Sequence, residues 1–328
     1  MTSTRVIIDT DPGIDDALAL ILAFASPEVS VEAITTVAGN VTVEQAARNA
    51  CAILDVIDPH PRPPVAVGAG HPLKKALRTA HDYHGEDGLG GIFRFRTTEG
   101  TPRYPEPRQL AAPKNAPALI AELIDSAPGE IVLICIGPLT NVAMAILAAP
   151  ERMAKVKEIV IMGGAIAVPG NVTPGAEFNM HADPHAAEVA FTSGLPISLV
   201  PLDVTQQVIL TQEQIEAVVR PIGSRVTQFI CDSSERLFEY IRERRGCAAI
   251  PLHDPLAVGV VIDQSLVRRE PLHVEVETAD GPAQGVTIAD RRRIRAEWKQ
   301  PPNLQVCMGV DADRFVGLVL ERVCRQLS

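Results

Sequence analysis

Four aspartates, Asp9, Asp11, Asp15 and Asp16, stand within residues 6–20, VIIDTDPGIDDALAL, between two apolar runs. The β-branched run before them reads as a strand, and the run after them as a helix that is apolar on most sides and hence buried. Carboxylates this close repel one another, and a buried carboxylate is costly unless it is paired or coordinated. The chain must therefore fold so that the turn from its first strand to its first helix lies where something compensates four negative charges.

The order of elements narrows the fold. Strand-like runs at 6–8, 31–37, 65–67, 131–136, 159–162 and 197–200 alternate with helical spacing at 15–25, 42–57, 116–127, 139–147 and 184–193. Such alternation predicts an α/β fold: a mostly parallel, doubly wound sheet with helices on both faces. Two successive helices are expected within 211–245. A β-hairpin is expected within 272–292 about Gly281-Pro282, and a closing helix over 312–327. Residues 74–110 are too long for an ordinary loop, so they are functional, mobile or carry short elements. With no internal repeat and no linker, residues 1–328 read as a single domain.

Composition excludes several partners. The formal net charge is -10, which suits neither a nucleic-acid backbone nor an anionic membrane surface. The apolar runs are too short to span a bilayer, so no membrane partner is expected. The six cysteines form no C-x-x-C pair, and Cys51 and Cys135 lie in apolar runs as core thiols do. A strand-like run begins almost at once, without a signal peptide, and a cytoplasmic location is expected.

In open parallel sheets, ligands bind beyond the carboxyl ends of the strands. The unusual polar residues of this chain fall there: Asp9 and Asp11 after the first strand, Asn40 after the second, and Asn171, Glu177 and Asn179 after the run at 159–162. His253 and Asp254 stand in LHDPLA. Each has an ordinary structural role open to it. One or two of the aspartates could cap a helix. Gly13 and Gly39 suit turns, Asn40 and Asn141 suit helix caps, Met162 suits the core, and His253 suits a structural site. A cap is the preferred role for Asn141. Joint placement at strand ends is what favours function for the rest.

Asp11, Asp15, Asp16 and Asp254 offer hard oxygen ligands without sulfur or an imidazole cluster, which suits Ca²⁺ or Mg²⁺ and not Zn²⁺. No phosphate-binding GKS/T loop is present, and Arg and Lys are absent from these strand ends. Asn171, Glu177 and Asn179 suit neutral hydroxyls. A metal, hydroxyl partners and surrounding negative charge make a site for a sugar whose transition state becomes cationic at the anomeric carbon.

The segments DTDPGIDDALAL, VAGN, HGEDGLGG, IGPLTN, MGG…GNVTPGAEFN and LHDPLA resemble, in this order, the calcium-dependent ribonucleoside hydrolases of the inosine–uridine-preferring type. The resemblance implies hydrolysis of a ribonucleoside's N-glycosidic bond to free base and ribose. Ca²⁺ would be held by Asp11, Asp16, Asp254 and the carbonyl of Ile136. Asp15, Asn40, Asn171, Glu177 and Asn179 would hold the ribose hydroxyls, with Met162 against the sugar. Asp11 would deprotonate the attacking water at the ion. His253 would lie near the base as a candidate proton donor, and His84 matches a loop histidine that approaches the base. Tyr240, Arg244 and Arg245 are the candidates for base contact. A homo-oligomer, dimer or tetramer, is expected with the family. Two other functions stay open. Asp9-Thr10-Asp11 with Thr35 or Thr36 also fits a haloacid-dehalogenase-type phosphatase, and the same fold could serve a non-catalytic nucleoside-binding protein.

Overall fold

A computed structural model describes residues 3–107 and 115–325; the side chains of Arg245 and Ala296 lie outside the description. The strands are β1 (Thr4–Thr10), β2 (Val29–Thr36), β3 (Val65–Val67), β4 (Ile131–Cys135), β5 (Glu158–Met162), β6 (Ile197–Val200), β7 (Ile209–Thr211), β8 (Ala249–Pro251), β9 (Val267–Leu272), β10 (Val274–Val276), β11 (Thr287–Ala289) and β12 (Leu304–Val310). Eight form one sheet in the order β3-β2-β1-β4-β5-β6-β12-β9. Its first seven strands run parallel and β9 is antiparallel. The expected doubly wound architecture is present, with the order reversing beside β1, the strand that carries the aspartates.

Alternating residues of the central strands feed two cores. Val6, Ile8, Val132 and Ile134 pack under the helices Ile14–Phe24, Val43–Ile57, Arg225–Arg245, His253–Ile262 and Ala312–Cys324. Ile7, Leu133, Ile159 and Ile161 pack under Ala116–Ser126, Thr140–Ala148 and Pro184–Phe191. Burial on both faces explains why these strands read as continuous apolar runs.

The expected hairpin is β10 with β11, a two-stranded antiparallel sheet of its own. The expected helix pair becomes an irregular helical stretch over 212–222 followed by the 21-residue helix Arg225–Arg245. Ser224 caps that helix, its hydroxyl accepting from the Thr227 N–H, and Gly246 ends it with left-handed backbone. The closing helix is described to Cys324, so its expected end at Leu327 lies outside the described residues, as do residues 108–110 of the long segment. Strands β7, β8, β9 and β12 have no counterpart in the sequence reading. VRREPL is half polar because it forms an antiparallel edge, where one side is unpaired. No helix among the described residues is long and apolar enough to cross a membrane.

The carboxyl edge is tied together by Asn141, contrary to the helix-cap expectation. It lies inside Thr140–Ala148 and is fully buried. Its Nδ2 donates to Asp9 Oδ1 at 2.8 Å and to the Thr36 carbonyl at 3.0 Å, and its Oδ1 accepts from Ala69 N–H at 2.8 Å. One amide thus joins the ends of β1 and β2 to the chain after β3. Gly68 leaves room for it, since a Cβ there would lie 2.2 Å from Asn141 Oδ1. Each buried group stripped of its partner costs about 1–3 kcal/mol. Asn141→Ala is expected to lower unfolding free energy in urea by roughly 2–4 kcal/mol. A loss below about 0.5 kcal/mol, the range of an inert surface change, would mean that these bonds do not hold the edge.

Candidate active site

Asp15, Asp16 and Asp254 bring carboxylate oxygens within 4.8 Å of one another. Asp15 and Asp16 lie in the first turn of Ile14–Phe24, and Asp254 in the first turn of His253–Ile262. All three, with Asp11, are almost wholly buried. Asp15 belongs to this closest triad, whereas the family resemblance implied Asp11 in the ion's ligand set and Asp15 on the sugar. Asp11 stands just behind the triad, close enough for its charge to act on Asp16 and Asp254.

The backbone and small residues accommodate the cluster. Asp16 accepts from Thr10 Oγ1 (2.5 Å), Gly13 N–H (2.9 Å) and Asn40 Nδ2 (3.2 Å). Asp11 Oδ2 accepts from the Asn40 N–H at 2.6 Å. Gly39 and Gly137 give Asp11 its space: a Cβ would lie 2.0 Å from Asp11 Oδ2 at Gly39, and 2.7 Å from Asp11 Oδ1 at Gly137. Gly39 is thus required by the carboxylate and not by a left-handed turn. Asn40 is not a helix cap; its backbone and side chain donate to two aspartates.

Two buried oxygens at the cluster, Asp11 Oδ1 and Asp15 Oδ1, have no hydrogen-bond partner. Orphaned buried acceptors in an all-oxygen donor set fit a hard divalent cation. Burial raises Asp11 and Asp254 well above the usual carboxylate range, and repulsion from neighbouring aspartates, chiefly Asp16 for Asp11 and Asp15 for Asp254, adds to this. It brings Asp15 to about 6 and also raises Asp16. Asp9 is pushed to about 7 by burial, against hydrogen bonds from Thr35 and Asn141. Asp9 and Thr35, which the phosphatase alternative placed in the chemistry, are bonded to each other at 2.5 Å in the sheet interior.

Above the cluster opens a cavity of about 370 Å³. Its polar wall includes Asp15, Asn40, Asn171, Glu177, Asn179 and Asp254. Asn179 Nδ2 donates to the carbonyls of Ile136 (3.1 Å) and Met162 (3.2 Å), and both of those residues also line the cavity. Glu177 caps the short helix Phe178–Ala182, accepting from Asn179, Met180 and Gly164 N–H groups. Asn171 Oδ1 accepts from Phe178 N–H at 2.9 Å. The sheet edge therefore brings every sugar-side residue of the sequence reading to one wall.

The rest of the lining comes from two other places. The long segment carries short elements: the helix His81–His84 delivers Tyr83 and His84 to the cavity. Helix Arg225–Arg245 delivers Tyr240 and Arg244, while the Arg245 side chain is outside the described residues. The Tyr83 and Tyr240 rings meet edge to face at 5.6 Å, and Arg244 lies over Tyr240 at 4.4 Å. Tyr83 and Arg78, both at the cavity, were missed; an aromatic beside the loop histidine was the available signal for Tyr83. His84 is buried, its Nδ1 accepts from Ile14 N–H at 3.2 Å, and burial lowers its pKa to about 4. A histidine so placed carries its proton on Nε2 and is neutral at pH 7. His253 Nδ1 lies 2.7 Å from Thr205 Oγ1.

Residues 6–317 match the profile of the inosine-uridine preferring nucleoside hydrolases. The chain belongs to this family. It is 38% identical over 319 residues, 97% of either chain, to the pyrimidine-specific ribonucleoside hydrolase RihA of Salmonella paratyphi B. Among solved nucleoside hydrolases, the plant enzyme PpNRh1 superposes with a TM-score of 0.88 at 35% identity, over 98% of this chain and 99% of that one. The purine-preferring ribonucleoside hydrolase from Gardnerella vaginalis does so with a TM-score of 0.88 at 33% identity, over 98% of both chains.

Without an ion the cluster makes stability depend on pH. Folding raises six carboxyl pKa values: those of Asp9, Asp11, Asp15, Asp16, Glu177 and Asp254. Their contribution is full below the unfolded value near 3.8 to 4.5 and is lost as pH rises through the folded values, about 6 for Asp15 and 7 for Asp9. His84 and His181 oppose this: burial lowers both, so their contribution is lost as pH falls below 6.5, towards about 4 for His84. Chelator-treated protein is therefore expected to melt at a higher temperature at pH 5 than at pH 7.5. Added Ca²⁺ should raise Tm more at pH 7.5 than at pH 5. The reverse order in either comparison would contradict the carboxylate account.

Proposed function

We propose that this chain hydrolyses the N-glycosidic bond of ribonucleosides to free base and ribose, with Ca²⁺ as its cofactor. The observation that carries the reading is the pair of orphaned carboxylate oxygens, on Asp11 and Asp15, in a cluster whose Asp15 and Asp254 line a cavity together with amide and aromatic side chains. Asp11, Asp16, Asp254 and the Ile136 carbonyl would hold the ion. When bound, the ion supplies Lewis acidity to the attacking water and to the 2′- and 3′-hydroxyls. Asp15, Asn40, Asn171, Glu177 and Asn179 orient the ribose, with Met162 beneath it.

Asp11 accepts the proton of the attacking water. Its Oδ2 is engaged by Asn40 N–H, which leaves Oδ1 for this task. The surrounding carboxylates stabilise positive charge developing on the ribosyl ring as the bond to the base breaks. The leaving base needs a proton. His84 is neutral at pH 7 and serves as a hydrogen-bond partner, so protonation is assigned to His253. The rings of Tyr83 and Tyr240 offer faces on which any base can stack. Of the relatives, one is named as pyrimidine-specific and another as purine-preferring, and in this reading the choice of base is made at this wall. The same reading takes residues 1–328 as one domain, working in the cytoplasm as a homo-oligomer.

A panel of purine and pyrimidine ribonucleosides, assayed with Ca²⁺ for free base and ribose, tests the proposal. At least one should be turned over, and 2′-deoxyinosine should be poorer than inosine by roughly 10⁴ in kcat/KM, because hydroxyl partners are left unpaired. Asp11→Asn should lower kcat by about 10²–10⁴. Binding without turnover would select the nucleoside-binding alternative. Wild-type kcat in Asp11→Asn would remove Asp11 from the mechanism.

A further inference from the structure

The aromatic wall is assembled from segments about 160 residues apart in sequence, and something must hold them in register. The segment carrying Tyr83 continues through a 3₁₀ turn at Ile92–Arg94 and a bridge between Arg96 and Pro102 to Tyr104. Its first half is pinned to the core: Leu89 and Ile92 are fully buried, and Asn49 Nδ2 donates to the carbonyls of Pro12 and Asp87. Its second half ends on helix Arg225–Arg245, on one side chain. Asp232 Oδ2 accepts from Arg103 Nη1 at 2.6 Å and from Tyr104 Oη at 2.8 Å, and its Oδ1 accepts from Gln228 Nε2 at 2.8 Å.

Asp232 and Tyr104 are each 6% exposed, and Tyr104 packs edge to face on Phe229 at 5.5 Å. The backbone approaches closely at the same place, where a Cβ on Gly90 would lie 2.2 Å from the Ser233 carbonyl. The Arg94–Glu235 ion pair is exposed on both sides and adds little, as surface pairs do. Asp232 differs because its charge is buried and receives three donors, the kind of bond whose loss is felt. Neither Asp232, Arg103 nor Tyr104 lines the cavity, so a contact with substrate does not explain them. Tyr240 lies eight residues along the same helix, about 12 Å.

We infer that Asp232 is a positioning residue: it latches the segment ending at Tyr104 to helix Arg225–Arg245, so that Tyr83 and Tyr240 meet over the base. The inference rests on the nucleoside hydrolase reading for its kinetic consequence and on the latch geometry alone for its structural one. The segment is then held on two sides, to the carboxylate turn through Asn49 and His84 and to helix Arg225–Arg245 through Asp232.

Asp232→Asn keeps the side chain's shape and removes its charge; Tyr104→Phe removes one donor and keeps the packing on Phe229. Hydrogen exchange of the unsubstituted protein and both variants reads the latch without substrate. Peptides within 93–104 are expected to exchange about tenfold faster in Asp232→Asn and less so in Tyr104→Phe, while peptides covering 9–16 are unchanged. Unchanged exchange within 93–104 overturns the inference. Kinetically, Asp232→Asn should lose about ten- to a hundredfold in kcat/KM on a ribonucleoside. Competitive inhibition by D-ribose and the affinity for Ca²⁺ should stay at wild-type values. The loss should shrink in a Tyr240→Ala background, because Asp232 acts through that ring. Additive losses, or a parallel loss of ribose and Ca²⁺ binding, would contradict a positioning role. Absence of turnover by the unsubstituted enzyme would instead sink the function proposed above, and the exchange measurement would still judge the latch.

Discussion

Repulsion among buried carboxylates at the end of β1 is the constraint around which the rest of the molecule is arranged. Asp11, Asp15, Asp16 and Asp254 come from two helix starts and one strand end, and they share a space too small for their charges. Backbone N–H groups from residues 13 and 40 and the hydroxyl of Thr10 offset part of the cost. Two oxygens remain without partners. Gly39 and Gly137 are small because Asp11 stands where their side chains would be. Asn141 locks the neighbouring strand ends, so the cluster cannot relax by spreading the sheet. A free-energy cost concentrated at one edge in this way is how a folded protein prepares a site for a cation.

The carboxylate floor and the aromatic wall obey different physics. The floor is set by the sheet, whose parallel strands deliver their ends to one edge with little freedom. The aromatic wall is set by a long connection and a helix that meet only through tertiary contacts. In the function proposed above, chemistry at the sugar would depend on the first and recognition of the base on the second. Relatives that share this fold but are named for different bases fit that division.

The same division decides what could be read from the sequence. The parallel, doubly wound fold and the gathering of Asp15, Asn40, Asn171, Glu177 and Asn179 at one cavity were legible because strand and helix periods alternate, and because these polar residues lie after apolar runs. Asn141 was misjudged because one residue number cannot tell whether an amide caps its own helix or reaches a strand end across the sheet. That Asp15 stands with Asp16 and Asp254 in the closest carboxylate triad was likewise beyond spacing, since Asp11, Asp15 and Asp16 lie within six residues of one another. Strand β9 was invisible because its polar residues fit an edge and not a core. Tyr83 and Asp232 were missed for a related reason: their roles arise where two distant segments touch, and no local pattern encodes that meeting.

Calorimetric titration of Ca²⁺ into metal-stripped protein at pH 7 tests the central claim most directly. The account predicts one ion bound per chain, with protons released because the raised aspartates must ionise to hold it, and a severe loss of that binding in Asp254→Asn. No binding, or equal binding by wild type and Asp254→Asn, would contradict it.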